Sequence, residues 1–235
     1  MGANKILVLG DPGTGKSTAA ENLDPNTTFI ICSDRKPLPF RYWRNKYKTV
    51  KKENGKLDLQ ASNYYSTDNP SVILNLMSAI SENKPETKVI ILDTITAVME
   101  NEYMSRIKEK GFSKFEDTAL DTFNLLIAPD TLRDDLTVII LGHTEDNTDL
   151  DGVRKTSFKV VGGKLIGQNI KPEARFTNVF YTDVIMEDDG KPHYYFLTQC
   201  NGTNTCRTQK DLFIDLRIPN DYQYILDKIK EYEGN

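Results

Sequence analysis

The stretch KILVLGDPGTGKSTAAENLD, residues 5–24, decides the fold. Its first six residues are a short apolar run ending in glycine, the pattern of a buried strand. GDPGTGKS, Gly10 to Ser17, then matches G-x-x-x-x-G-K-[ST]. Lys16 to Leu23 reads as a helix, closed by the Asp24-Pro25 breaker. Strand, glycine loop and helix in that order are the context a phosphate-cradling loop requires. Gly10, Asp11, Pro12, Gly13, Thr14 and Gly15 form the loop, whose N–H groups turn inward toward phosphate oxygens. The helix start adds unpaired N–H groups and a positive dipole end. Lys16 reaches the β- and γ-phosphates, Ser17 offers a hydroxyl to Mg²⁺, and Thr18 is a further phosphate contact.

Three more apolar runs read as buried strands: TTFIICS at 27–33, KVIILD at 88–93 and TVIILGH at 137–143. Helical spacing fills Pro70 to Asn83, about Ala97 to Lys110, and about Lys114 to Arg133. Apolar strands alternating with helices predict a parallel sheet covered on both faces. The last third differs. NVFYTDVI and HYYFLTQ flank MEDDGKP and predict an antiparallel hairpin. LFIDLRI at 212–218 adds a further strand, and Asp221 to Tyr232 a closing helix. The expectation is one α/β domain over residues 1–235: a parallel core to about residue 145, then an antiparallel extension and closing helix over about 172–235.

Asp93 ends a buried strand, where ligands of open parallel sheets gather. Its carboxylate is a second Mg²⁺ ligand opposite Ser17. The residue after it is Thr94, which cannot serve as a base, so the base must come from elsewhere. Asp34 directly follows FIICS and would face the γ-phosphate if that strand neighbours the Asp93 strand. His143 and Glu145, in HTED after the fourth strand, are the other candidates. His143 would sense the γ-phosphate if its strand neighbours the first, and Glu145 would sense it or act as base. Glu100 and Glu102 fit a solvated helix face.

The net charge is −4, no global signature of nucleic-acid binding. It is unevenly spread. Residues 35–56 hold nine Lys or Arg against one acid, Glu53. Arg41, Trp43, Arg44 and Lys48 in this stretch interleave cations with aromatics, the combination that binds single strands; the alternative is aromatics packed on the core with cations in water. The loop after HTED is the second candidate for DNA, through Lys155 and Lys159. Arg207 and Lys210 are candidates for a cation supplied to a neighbouring subunit's site. Three cysteines make no disulfide framework, and neither a signal peptide nor an 18-residue apolar run is present, so a cytoplasmic protein without a membrane partner is expected.

These residues resemble the phage P-loop ATPases of the AAA-domain, Sak type, distant relatives of the RecA recombinases. The likeness covers LDPNTTFIICSDRKPLPFR, the Asp93 strand, EYMSRIKEKGFSKFED, the Leu-Arg before TVIILGHTED, GGKLIG, YYFLT and IPNDY. The resemblance implies a RecA-like core that binds ATP with Mg²⁺, and a role in phage DNA recombination or replication through binding and annealing single strands. It also implies a homo-oligomer. Lys16, Ser17 and Asp93 carry over by motif position. Asp34 stands where the RecA relatives place a catalytic glutamate. The chain starts four residues before its first strand, so the tether that links recombinase filaments is not expected, and a ring fits better than a long filament. A nucleotide kinase and an ATP-bound, non-catalytic switch are the alternative functions.

Overall fold

The computed structural model describes residues 2–111, 113–148, 152–161 and 171–234. In chain order the elements are β1 (Asn4–Leu9), β2 (Thr28–Cys32), α1 (Trp43–Lys46), β3 (Tyr64–Ser66), α2 (Pro70–Asn83), β4 (Val89–Asp93), α3 (Ile95–Ser105), α4 (Ser113–Ile127), β5 (Thr137–Gly142), β6 (Thr144–Thr148), β7 (Arg154–Phe158), β8 (Asn178–Met186), β9 (Pro192–Leu197), β10 (Arg217–Pro219) and α5 (Tyr222–Glu233). Eight strands form one sheet in the order β10-β9-β8-β1-β5-β4-β2-β3. Every pairing from β8 to β3 is parallel, and β8-β9-β10 is antiparallel. This is the RecA-like mixed α/β architecture expected.

The central strands are buried on both faces, which explains their unbroken apolar sequences. Alternation within β1 assigns the layers. Leu7 and Leu9 pack with Ile73, Met77 and Ile80 of α2, Val98 and Met99 of α3, and Leu125 and Leu126 of α4. Ile6 and Val8 pack on the opposite face with Ala19, Ala20, Leu38, Phe40, Tyr47, and Tyr222, Ile225 and Ile229 of α5. Local capping fixes where the helices start. Asn69 accepts from the Val72 N–H with Pro70 at the first position of α2, and Asp221 accepts from the Gln223 N–H at the start of α5.

Four expectations are corrected. The stretch Lys16 to Leu23 is not an α-helix but a loose turn with a 3-10 segment at Thr18–Ala20. The Lys16 carbonyl, which a helix would offer to an N–H, instead accepts from the Tyr222 hydroxyl at 2.7 Å, and the Ala20 N–H turns to Ser17. The helix expected to reach Arg133 ends at Ile127, because Pro129 forces a 3-10 turn. Arg133 lies beyond it and donates to the carbonyls of Ile80, Ser81 and Lys84 at the end of α2. The loop after HTED begins as an antiparallel hairpin, β6 with β7; its GGKLIG portion lies outside the described residues. Finally, the antiparallel extension begins later than expected, since β8 itself joins the parallel core beside β1. The hairpin of NVFYTDVI with HYYFLTQ stands as expected.

Candidate functional site

The carboxyl ends of β1, β2, β4 and β5 open on one cavity of about 790 Å³. Its walls include Gly13, Gly15, Lys16, Ser17 and Thr18 of the glycine loop, Asp93 and Thr94 after β4, Asp34 after β2, and His143 after β5. Both adjacencies on which the sequence argument depended are present: β2 pairs with β4, and β5 pairs with β1.

The loop is shaped by its glycines and by β8. A Cβ at Gly10 would lie 1.7 Å from the Thr182 hydroxyl. That hydroxyl donates to Thr14 Oγ1 at 2.7 Å, and Thr14 donates to the Asp11 carbonyl at 2.7 Å. Gly15 has a left-handed φ of +95°, and a Cβ there would crowd Asn220 and Tyr194. Lys16 folds back over the loop, donating to the Gly10 carbonyl at 2.6 Å and the Asp11 carbonyl at 2.8 Å. Burial lowers its pKa to about 8, against the pull of Asp93 and Asp11 and with the help of Lys36. With only a single turn behind the loop, anion attraction rests on the loop N–H groups and the ammonium rather than on a helix dipole.

Asp93 is buried, which raises its pKa to about 6; Asp34 pushes the same way, and the Ser17 hydroxyl and Lys16 oppose it. A hydroxyl and a carboxylate are hard oxygen donors, the set Mg²⁺ prefers when phosphate oxygens and water complete its shell. The pair therefore fits this ion. No cluster of three or more His, Cys, Asp or Glu suited to a metal exists among the described residues.

The rim around Asp93 is cross-braced. The Asp93–Thr94 peptide is cis. Ser33 receives the Thr94 N–H at 2.8 Å and donates to the Thr94 carbonyl at 2.5 Å, tying β4 to β2. Thr94 caps α3 through the Thr96 N–H, and Thr96 Oγ1 receives the His143 N–H at 2.9 Å, tying β4 to β5. Thr94 and Thr96 together join three strand ends, a positioning task. Asp34 is partly buried; its carboxylate accepts from the Lys36 N–H at 3.1 Å and the Cys32 thiol at 3.3 Å, and pairs with the Lys36 ammonium at 3.2 Å. His143 has its pKa lowered by burial first and by Lys16 next.

Glu145 does not join them. It is exposed on β6 and faces a separate depression with Lys155 and Ser157. Among the DNA candidates, Arg41, Arg44, Lys48 and Lys155 are exposed, whereas Lys159 pairs with Glu100 at 2.8 Å. Trp43 is half-buried, its ring 5.4 Å from that of Tyr64, with the Arg44 guanidinium 4.6 Å above it. Phe40 and Tyr47 belong to the core. The Arg207 guanidinium is bound within its own chain to the carbonyls of Phe176 and Glu173, while Lys210 is exposed. Sequence reasoning missed Tyr194 and Asn220, which line the cavity from β9 and the β10–α5 junction, and Tyr222. Only the strand order brings these residues to the loop.

A glycine loop after the central strand, with a carboxylate two strands away on the same rim, defines a P-loop nucleotide-binding domain. The family model described as AAA domain matches residues 3–205. The chain belongs to that family. No curated protein matches it.

Proposed function

We propose that the protein is a Sak-type phage ATPase that hydrolyses ATP with Mg²⁺, binds single-stranded DNA and supports strand annealing in recombination. The observation that carries this reading is the convergence of Lys16, Ser17, Asp93 and Asp34 on one cavity. Bound Mg²⁺ would be held by Ser17 and Asp93 and would neutralise phosphate charge. Lys16 leaves its two carbonyl partners for the phosphates. Asp34 orients a water and accepts its proton as the water oxygen bonds to the terminal phosphorus; the bond to the diphosphate oxygen breaks, and its electron pair leaves with ADP. The nucleoside extends the other way, toward Tyr194 and Asn220, because the carboxylates and His143 come from the ends of strands to one side of β1, and these two residues from β9 and the β10–α5 junction on the other.

DNA binding rests on the exposed cations around α1, and assembly is into a ring. The experiment is an ATPase assay with and without single-stranded oligonucleotide. Turnover is expected to rise with DNA and to be lost in Lys16→Ala. A protein that ignores DNA at low salt with ATP present would overturn the DNA role.

A further inference from the structure

The turn after β2 has a feature the catalytic reading does not use. Arg35 sits at a left-handed φ of 59°, unusual for a residue other than glycine. Its guanidinium holds both oxygens of Asp68 at 2.9 Å, and Asp68 also receives the Asn101 amide at 3.0 Å. The Lys36 N–H closes an Asx turn on Asp34, and Pro37 fixes the next φ. The result is a braced turn that returns the Lys36 side chain over the Asp34 carboxylate, at the mouth of the phosphate cavity.

We propose that Lys36 is a cation for the terminal phosphate, supplied by the chain itself, and that without nucleotide it latches Asp34. This rests on the ATP reading above. Lys36 lies within electrostatic reach of Lys16, Asp93 and His143, the groups that surround the terminal-phosphate position. Its side chain is 74% exposed, so its ion pair with Asp34 is weak and easily exchanged. A terminal phosphate carries more negative charge than one carboxylate and draws the ammonium away. Asp34 keeps its Cys32 and Lys36 N–H contacts on one oxygen, while the other is freed to accept from water. A diphosphate stops short and leaves the latch closed. The same turn leads through Pro37, Leu38, Pro39 and Phe40 into α1; Leu38 and Phe40 are anchored in the core. Nucleotide state is therefore read at the start of the basic segment.

The test is binding of fluorescent ATP and ADP, with Mg²⁺, to wild type, Lys36→Met and Lys36→Arg, alongside turnover and thermal melting. In Lys36→Met the preference for ATP over ADP is expected to fall about tenfold, with ADP affinity unchanged and turnover lower by on the order of 100-fold. Lys36→Arg is expected to keep the preference. Asp34→Asn should bind ATP more tightly, because the latch is gone, and lose turnover. An unchanged preference in Lys36→Met overturns the proposal. So does equal loss for both nucleotides with a lowered melting point, which marks a structural role. A wild type that binds ATP without turnover ends the hydrolysis reading but leaves the affinity ratio to decide on Lys36. A wild type that binds neither nucleotide ends both.

Discussion

At the scale of residues, the site holds two groups whose ionisation is set by burial, and they bound its working pH. Binding phosphate requires protonated Lys16. Its pKa in the nucleotide-free protein is lowered to about 8, so above that pH the free protein has lost the proton. Binding must then take up a proton, and affinity declines toward tenfold per pH unit. Metal binding requires ionised Asp93, whose pKa is raised to about 6; as pH falls through that value the metal must displace a proton. Mg²⁺-ATP affinity is therefore expected to be greatest between these two values. Calorimetry at pH 8.5 in two buffers of different ionisation heat should detect proton uptake, and Lys16→Met should abolish it. No uptake in the wild type would mean that the ammonium keeps its proton in the empty loop.

At the scale of elements, α5 sits far along the chain yet supports the phosphate loop. Tyr222 is fully buried, stacks on Phe196 with ring centres 5.6 Å apart, and donates to the Lys16 carbonyl at 2.7 Å. Tyr222→Phe keeps the ring and leaves that carbonyl unpaired, a cost of about 1–3 kcal/mol. For a domain of this size the melting point should fall by about 2–4 °C per kcal/mol, and ATP should bind less tightly because the loop loses a brace. Differential scanning calorimetry and nucleotide titration check the two effects; a variant that melts and binds like wild type would assign the support of the loop to packing alone. The same contact shows where the sequence stops being legible. Buried strands announce themselves by apolar runs, and G-x-x-x-x-G-K-S by its spacing, so β1, β2, β4, β5 and the loop were readable. The failed helix after Lys16 was not, because its first carbonyl is taken by a side chain more than 200 positions away. Nor were the roles of Thr182, Tyr194 and Asn220, which depend on β8 pairing with β1. Asp34 was readable as a candidate because strand-end position follows from the chain alone; its masking by Lys36 was not, since that depends on the φ of Arg35.

At the scale of the whole molecule, charge constrains the proposed DNA binding. The protein carries a net −4 and a sequence pI near 5.4, so a polyanion is repelled by most of its surface and must be met at a focused patch. The exposed cations Arg41, Arg44 and Lys48 around α1 form such a patch at the end of the turn that leaves the phosphate cavity. Phe40 and Tyr47 are in the core and Trp43 packs against Tyr64 and Arg44, which leaves Tyr42, 73% exposed, for stacking. Binding should then be dominated by phosphate contacts and fall steeply with salt. Each phosphate contact to a single strand contributes about −0.7 to the slope of log affinity against log salt. Replacing Arg41, Arg44 and Lys48 together by Ala should make that slope shallower by about 2, weaken oligonucleotide binding equally for unrelated sequences, and leave ATP binding intact. Fluorescence anisotropy over a salt series measures all three. If the triple variant keeps the wild-type slope, the patch around α1 is not the DNA surface, and the β6–β7 hairpin with Lys155 becomes the segment to change next.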